Sequence, residues 1–403
     1  MTRDMGDDWA ARAARVIPGG ASTGSKRPEA LYGRLDGHAP THFVRASGCT
    51  VETPAGHILT DFTMSLGAVA LGYAHPPVTA AVQAAAAIGN VAGLSHVSEV
   101  ELAERLCDVI PCAEQVRFLK SGAEGVAAAV RIARTLTGRD VVLGCGYFGW
   151  LDWWHGNPGV PAGAVADFVA IPFNDVDALE SEVAAAGDRL AAIILEPTIE
   201  RLADEAWVRR ARALCDSSGA VLILDEVKTG FRLHVAGFQG LAGIRPHLAV
   251  LGKALANGYP LAAVVGERAV MEAATRTWIS STLAAESTAL AAAGAVLDQH
   301  AAFDVCGALW KVGQRQMAIA AEAIAASGLA DVAVQGVPPM WFLRFADAGR
   351  ETRFLESLTA HGVLLKRGAY NFASLAHDEV AQAALAAGLE MALAGAGQPR
   401  ASS

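Results

Sequence analysis

Several features are scarce in this 403-residue chain, and each scarcity removes a class of function. Hydrophobic residues make up 53% of it, yet no apolar run reaches the roughly 18 residues of a membrane-crossing helix, so no span is expected. Charge is sparse at 18% and leans acidic, with 32 Lys+Arg against 41 Asp+Glu and a net charge of −9. No basic run appears, so neither nucleic acid nor an anionic membrane is the expected partner. The cysteines Cys49, Cys107, Cys112, Cys145, Cys215 and Cys306 are scattered, without CxxC or a nearby His pair. That excludes a disulfide framework or a cysteine-bound metal and leaves free thiols in a reducing cytoplasm. The opening residues, "MTRDMGDDWAARAARVIPGG", lack the apolar core of a secretory leader. No GxGxxG follows the first strand, which argues against a nicotinamide enzyme.

What the chain does have is alternation. Short apolar runs at 116–119, 141–144, 191–195, 221–225, 248–251 and 261–266 read as strands, and "GVAAAVRIARTL" (125–136) reads as a helix. Several runs are apolar throughout, as strands covered on both faces are. Strand–helix alternation predicts an α/β fold with a mostly parallel sheet. From about residue 300 the pattern changes to helix, strands and a final helix, which predicts a smaller α+β domain. The expected organisation is an N-terminal arm at 1–50 contributing to the small domain, a large domain at 51–299, the C-terminal small domain at 300–395 and a disordered tail at 396–403.

One strand poses a chemical question. "LILDEVKTGF" (222–231) ends an apolar strand in two adjacent carboxylates, Asp225 and Glu226. Burying an ionised carboxylate is costly unless a cation or hydrogen-bond donors meet it. Ligands of parallel α/β sheets sit outside the C-terminal strand ends, where Asp225 falls. Three more stretches lie at such ends. In "LKSGAEG" (119–125), Ser121, Gly122 and Ala123 open a helix, whose N-terminal amides form either an anion site or an ordinary capped start. In "GYFGW" (146–150), Tyr147 either stacks on a planar ligand or packs into the core. In "LAVLGKALANGYPLAAVVG" (248–266), Lys253 is either a surface lysine or a buried amine of lowered pKa, able to attack a carbonyl. Taken together, an anion site, a stacking ring, a buried carboxylate and a nucleophilic lysine match pyridoxal 5′-phosphate (PLP). Its phosphate would take the helix N-terminus, its ring would stack on Tyr147, Lys253 would form the Schiff base, and Asp225 would face the pyridine nitrogen. The cation met by the buried carboxylate would then be a pyridinium.

"LILDEVKTGFR", "LGKALANGYPLAAVVG" and "SGAEGVAAAVRIAR" resemble the class III aminotransferases of PLP fold type I, in the glutamate-1-semialdehyde 2,1-aminomutase-like branch. "ARVIPGG" (14–20), "LGYAHP" (71–76), "WISSTLAAES" (278–287) and "HGVLLKRGAYNFASLAHDE" (361–379) are similar to that branch too, so the resemblance covers nearly the whole chain. It implies that Lys253 is the Schiff-base lysine and proton shuttle, that Asp225 partners the ring nitrogen, and that Val227 packs on the ring face opposite Tyr147. It implies further that Ser121, Gly122 and Ala123 hold the phosphate, that Glu196 lies near the ring edge, and that Thr282 reaches the phosphate of a neighbouring subunit in an obligate homodimer. Four segments depart from the family pattern: Ala123 where Thr or Ser is usual, Phe148 where His follows the stacking Tyr, Ala285-Glu286-Ser287 in place of Gly-Asn-Pro, and "ASTGSKRPEALYG" (21–33) in place of the aminomutase's substrate segment.

The expectation is a homodimeric, cytoplasmic PLP-dependent aminotransferase that moves an amino group from a small-molecule donor to a carbonyl acceptor by ping-pong chemistry. An intramolecular aminomutase or a racemase on the same cofactor is the alternative, and a non-catalytic PLP-binding protein is a third reading. Lys26 and Arg27 either bind a substrate carboxylate or are exposed arm charges, Tyr370 and Asn371 are expected to face the pocket from the small domain, and "YFGWLDWW" (147–154) either lines the substrate site or packs. No metal is expected.

Overall fold

Strands without alternation need cover on both faces, and the sheet that forms has it. The computed structural model describes residues 8–33 and 39–396, and the chain divides into two units, Met1–His75 with Ala308–Ser403 and Pro76–Gly307. The second unit carries the large sheet. Its strands are β1 (Gln115–Leu119), β2 (Val141–Cys145), β3 (Phe168–Ala170), β4 (Leu190–Leu195), β5 (Val221–Asp225), β6 (Leu248–Leu251) and β7 (Ala262–Gly266). They lie in the order β1-β7-β6-β5-β4-β2-β3. Neighbours run parallel from β6 through β3. β7 alone is reversed, pairing antiparallel with both β6 and β1.

Successive side chains point to opposite faces of a strand. Accordingly Val221, Ile223 and Ile194 join a core beneath helix α1 (Gly122–Thr137). Leu222, Leu224, Ile193 and Leu195 join another with Trp207 and Val208 of α2 (Glu205–Ser218). Leu222, Ile223 and Leu224 are fully buried, each contributing roughly 2 kcal/mol by area removed from water. α1 buries Val126, Ala129, Val130 and Ala133 at helical spacing and ends on Gly138 at φ 68°.

The first unit holds a sheet of Arg45–Ser47, Thr50–Glu52 and Ile58–Asp61, joined in parallel by Val363–Leu364. A second sheet is built from Val332–Val337, Met340–Phe345 and Asn371–Phe372. Trp341, Phe354, Leu358, Leu385 and Leu389 form its core, and the Trp341 indole donates to Gln316 Oε1 at 2.8 Å. The arm expected at 1–50 is partly structured, with a helix at Asp8–Val16. The pairing of Ile58–Asp61 with Val363–Leu364 carries this unit on to His75, beyond residue 50. The tail expected beyond Ala396 lies outside the described residues.

Candidate active site

The register of the large sheet gathers the expected residues at one edge. Leu119 of β1 faces Ala262, Ala263 faces Leu251, Val250 faces Asp225, and Leu195 lies beside both Leu224 and Cys145. Ser121, Tyr147, Glu196, Asp225 and Lys253 therefore follow, or end, five parallel strands on the same side of the sheet.

At the end of β1, Ser121 is the N-cap of α1. Its hydroxyl accepts from Glu124 N at 3.3 Å, and Glu124 Oε2 accepts from Ser121 N at 2.9 Å. The capped-helix reading of Ser121 is thus met. The amides of Gly122 and Ala123 head the helix, where no in-helix acceptor exists and the dipole favours an anion. Close packing explains the small residues: a Cβ on Gly122 would stand 2.9 Å from Val227 Cγ1, and one on Gly149 would stand 2.3 Å from Ala123 Cβ. A Cβ on Gly252, just before Lys253, would meet Val227 Cγ1 at 3.3 Å. Val227 is therefore flanked by the phosphate-loop candidate and the lysine turn.

Tyr147 is 66% exposed, so it does not pack into the core. Its neighbour Phe148 takes that role, at 1% exposed, against Trp153, Trp154 and Phe168. Trp154 meets the Tyr147 ring edge-on at 5.7 Å and anchors its own indole N–H on Gly149 O at 2.8 Å. Tyr147 N donates to Glu196 Oε2 at 3.0 Å, and the other Glu196 oxygen pairs with Lys228 Nζ at 2.5 Å.

The two adjacent carboxylates part company. Glu226 is fully buried and accepts from Phe238 N at 2.8 Å and Gln239 N at 2.9 Å, and from the Thr229 hydroxyl. It is a structural carboxylate. Asp225 accepts from Val227 N at 3.0 Å. Burial, and then the charge of Glu196, push its pKa up to about 7. Lys253 opens a helical turn, Lys253–Ala256, in the left-handed region at φ 49°, an uncommon conformation for a side-chain-bearing residue. Burial and the neighbouring Lys228 ammonium pull its pKa down to about 8, in the range of a nucleophilic amine.

The remaining expected residues are described each within its own unit. Thr282 is exposed, in the turn ahead of α3 (Ser287–Ala302). Lys26 and Arg27 are exposed in the first unit, where Arg27 Nε donates to Ala21 O at 3.4 Å. Tyr370 packs edge-on against Phe342 at 5.5 Å. Asn371 is 1% exposed and accepts from Lys366 N at 2.8 Å, so its side-chain oxygen is engaged within that unit. Sequence reasoning passed over Gly146, Gly149, Lys228 and the fully buried Arg232. Only the charge in "DEVKTGFR" and the paired glycines of "GYFG" signalled them. Among the described residues no cluster of His, Cys, Asp and Glu could hold a metal ion, and no helix is long and apolar enough to cross a membrane.

The glutamate-1-semialdehyde 2,1-aminomutase of Dechloromonas aromatica (strain RCB) is 39% identical over 281 residues, 65% of this chain and 64% of that protein. The 2'-deamino-2'-hydroxyneamine transaminase of Streptomyces kanamyceticus is 34% identical over 366 residues, 90% of this chain and 91% of that one. The solved structure of the Sphingopyxis sp. MTA144 FumI protein, in a PLP form, superposes with a TM-score of 0.91 at 26% identity, covering 96% of this chain and 95% of that one. A family model described as class-III aminotransferase matches residues 32–145 and 155–389, passing over the segment that carries Tyr147 and Trp154. The chain belongs to the class-III aminotransferase family.

Proposed function

We propose that this protein is a PLP-dependent aminotransferase that passes an amino group from a donor to a carbonyl acceptor in two half-reactions. The observation that carries the proposal is the convergence of Lys253, Asp225, Tyr147 and the α1 N-terminus on one edge of the sheet. The residues present fit the cofactor: an amine of lowered pKa, a buried carboxylate, an exposed ring and anion-binding amides stand together. When bound, PLP supplies an electron-accepting pyridine ring that stabilises negative charge on the amino-bearing carbon.

The chain's own residues do the rest. Lys253 Nζ is the attachment point and moves the proton at that carbon, for which its lowered pKa suits it. Asp225 would face the ring nitrogen and hold a proton there. Gly122, Ala123 and the Ser121 cap hold the phosphate at the head of α1. Tyr147 and Val227 would bracket the ring, and Glu196 fixes the Tyr147 backbone.

Thr282 closes the phosphate site of a second copy in a homodimer. Supporting this reading, Ile88, Leu94 and Val97 stand 69%, 86% and 67% exposed in the second unit, as does Leu283 beside Thr282 at 50%. A second copy covering these side chains would remove their apolar area from water. A fully active monomer on sizing would refute the dimer. Free thiols at all six cysteines support a cytoplasmic setting, and a disulfide found in the native protein would oppose it.

The aminomutase relatives support a second reading, in which the amino group returns to the same substrate. Transamination is favoured because the segments departing from that branch, 21–33 and 285–287, are those expected to hold its substrate. Incubating the loaded enzyme with glutamate, glutamine or alanine decides the matter. Release of a free keto acid, with the cofactor left in its amine form, supports transamination. Conversion of one substrate into its isomer without any keto product establishes the aminomutase or racemase.

A further inference from the structure

A lysine only 8% exposed needs a partner for its ammonium, and Lys228 has one in Glu196, at 2.5 Å. The other oxygen of Glu196 receives Tyr147 N at 3.0 Å, so the pair ties the loop after β5 to the loop after β2. Glu196 itself is 9% exposed. Without a cation it would be a second uncompensated buried charge beside Asp225, which is costly.

We propose that Lys228 is a positioning residue of this site, whose ammonium holds Glu196 against the Tyr147 backbone and sets the charge that Asp225 and Lys253 feel. The inference rests on Lys253 being the cofactor lysine. Charges acting on Lys253 come from Lys228, Glu196, Asp225 and Arg232; those acting on Asp225 come from Glu196, Lys253 and Lys228. Glu196 works against the chemistry at both places, since its negative charge favours protonated Asp225 and protonated Lys253. Lys228 opposes it at both: a cation favours the carboxylate that must hold the ring proton and disfavours the ammonium that cannot attack. One side chain thus pushes two catalytic groups toward their working forms.

The test reads the pH midpoint of the bound cofactor's absorption change in the unsubstituted enzyme and in Lys228→Met, Lys228→Arg, Glu196→Gln and the Lys228→Met/Glu196→Gln double variant. Lys228→Met should raise the midpoint by about one unit, the scale of a neighbouring-charge effect. Glu196→Gln should lower it, the double variant should fall between the two, and Lys228→Arg should keep the original value. If both single changes move the midpoint the same way, or neither moves it, the proposal is overturned. Should Lys228→Met fail to fold, Glu196→Gln and Lys228→Arg decide it by the same signs. Borohydride reduction of the unsubstituted enzyme, followed by peptide mapping, comes first. Label on another lysine overturns the site assignment and this inference with it; label on Lys253 with unmoved midpoints overturns this inference alone.

Discussion

The Lys120 ammonium meets the Glu286 carboxylate at 2.9 Å, joining the end of β1 to the start of α3 across 166 positions of sequence. Glu286 also accepts from the amides of Thr288 at 2.9 Å and Ala289 at 3.1 Å, and so caps α3. The carboxylate that replaces the family's usual asparagine in 285–287 therefore has a structural task. Burial works against its ionised form, but the bonds from Thr288 and Lys120 outweigh burial and hold its pKa below the ordinary value. Glu286→Ala should cost about 2 kcal/mol, the upper range for a lost helix cap. A carboxyl of depressed pKa stabilises the fold above its unfolded pKa and loses that contribution as pH falls through the folded one. Denaturant titration should therefore show the deficit in full at neutral pH and a smaller one in acid.

Gly149→Ala should damage cofactor retention. The new Cβ would meet Ala123 at 2.3 Å, and Gly149 holds φ 86°, which other residues adopt at a cost. Overpacking of this kind typically costs 1–3 kcal/mol. Here it would be felt at the first turn of α1, so PLP should wash out on desalting. Full retention would show that the α1 amides are not what holds the phosphate.

Lys253→Met should abolish turnover, and it also carries a stability signature. In the cofactor-free protein the Lys253 pKa lies near 8, against an ordinary 10.5. Between those values the unfolded chain binds more protons than the native one, so native stability rises with pH across that window. The penalty of the buried ammonium is thus full below about pH 8 and relieved by about pH 10.5. Thermal melting of the cofactor-free proteins should find Lys253→Met the more stable at pH 7, with the gap closing toward pH 10.5.

Asp225→Asn keeps the shape and removes the charge. Loaded enzyme should lose activity by about 10²-fold or more, on the order of 3 kcal/mol of transition-state stabilisation. Without cofactor the sign reverses. A carboxyl raised from 3.8 to about 7 contributes stability at low pH and loses it as pH rises through 7. Above pH 7 the cofactor-free Asn variant should therefore melt higher than the unsubstituted protein. A near-normal rate at full cofactor occupancy would remove Asp225 from the mechanism.

The strands that carry the site were legible because their cover on both faces leaves unbroken apolar runs, and "VLILD" shows both the strand and its end. β3 was not, since Phe168–Ala170 is short and only partly covered. The reversal of β7 was hidden, because a doubly covered strand has the same composition in either direction. At the site, Lys253 and Asp225 could be read from their places at strand ends, and Glu196 only from the family resemblance. Tyr147 and Phe148 could not be told apart, because a strand-end aromatic faces in or out according to a turn that composition does not encode. Gly149 and Lys228 were missed for a related reason: a glycine's necessity and a lysine's burial depend on partners distant in sequence, Ala123 and Glu196.

The reversed strand β7 also sets a length. It is bonded to β6 on one side and β1 on the other, so the turn that carries Lys253 and the turn that opens α1 spring from strands flanking a common neighbour. Adjacent strands lie about 4.8 Å apart. The span from the Lys253 turn to the head of α1, the proposed phosphate site, is therefore gauged by two rows of backbone hydrogen bonds rather than by any loop. Side-chain changes in the loops can retune which molecules react here. Changing the size of cofactor that fits would require the sheet itself to slip register, which would force both covered faces to repack at once.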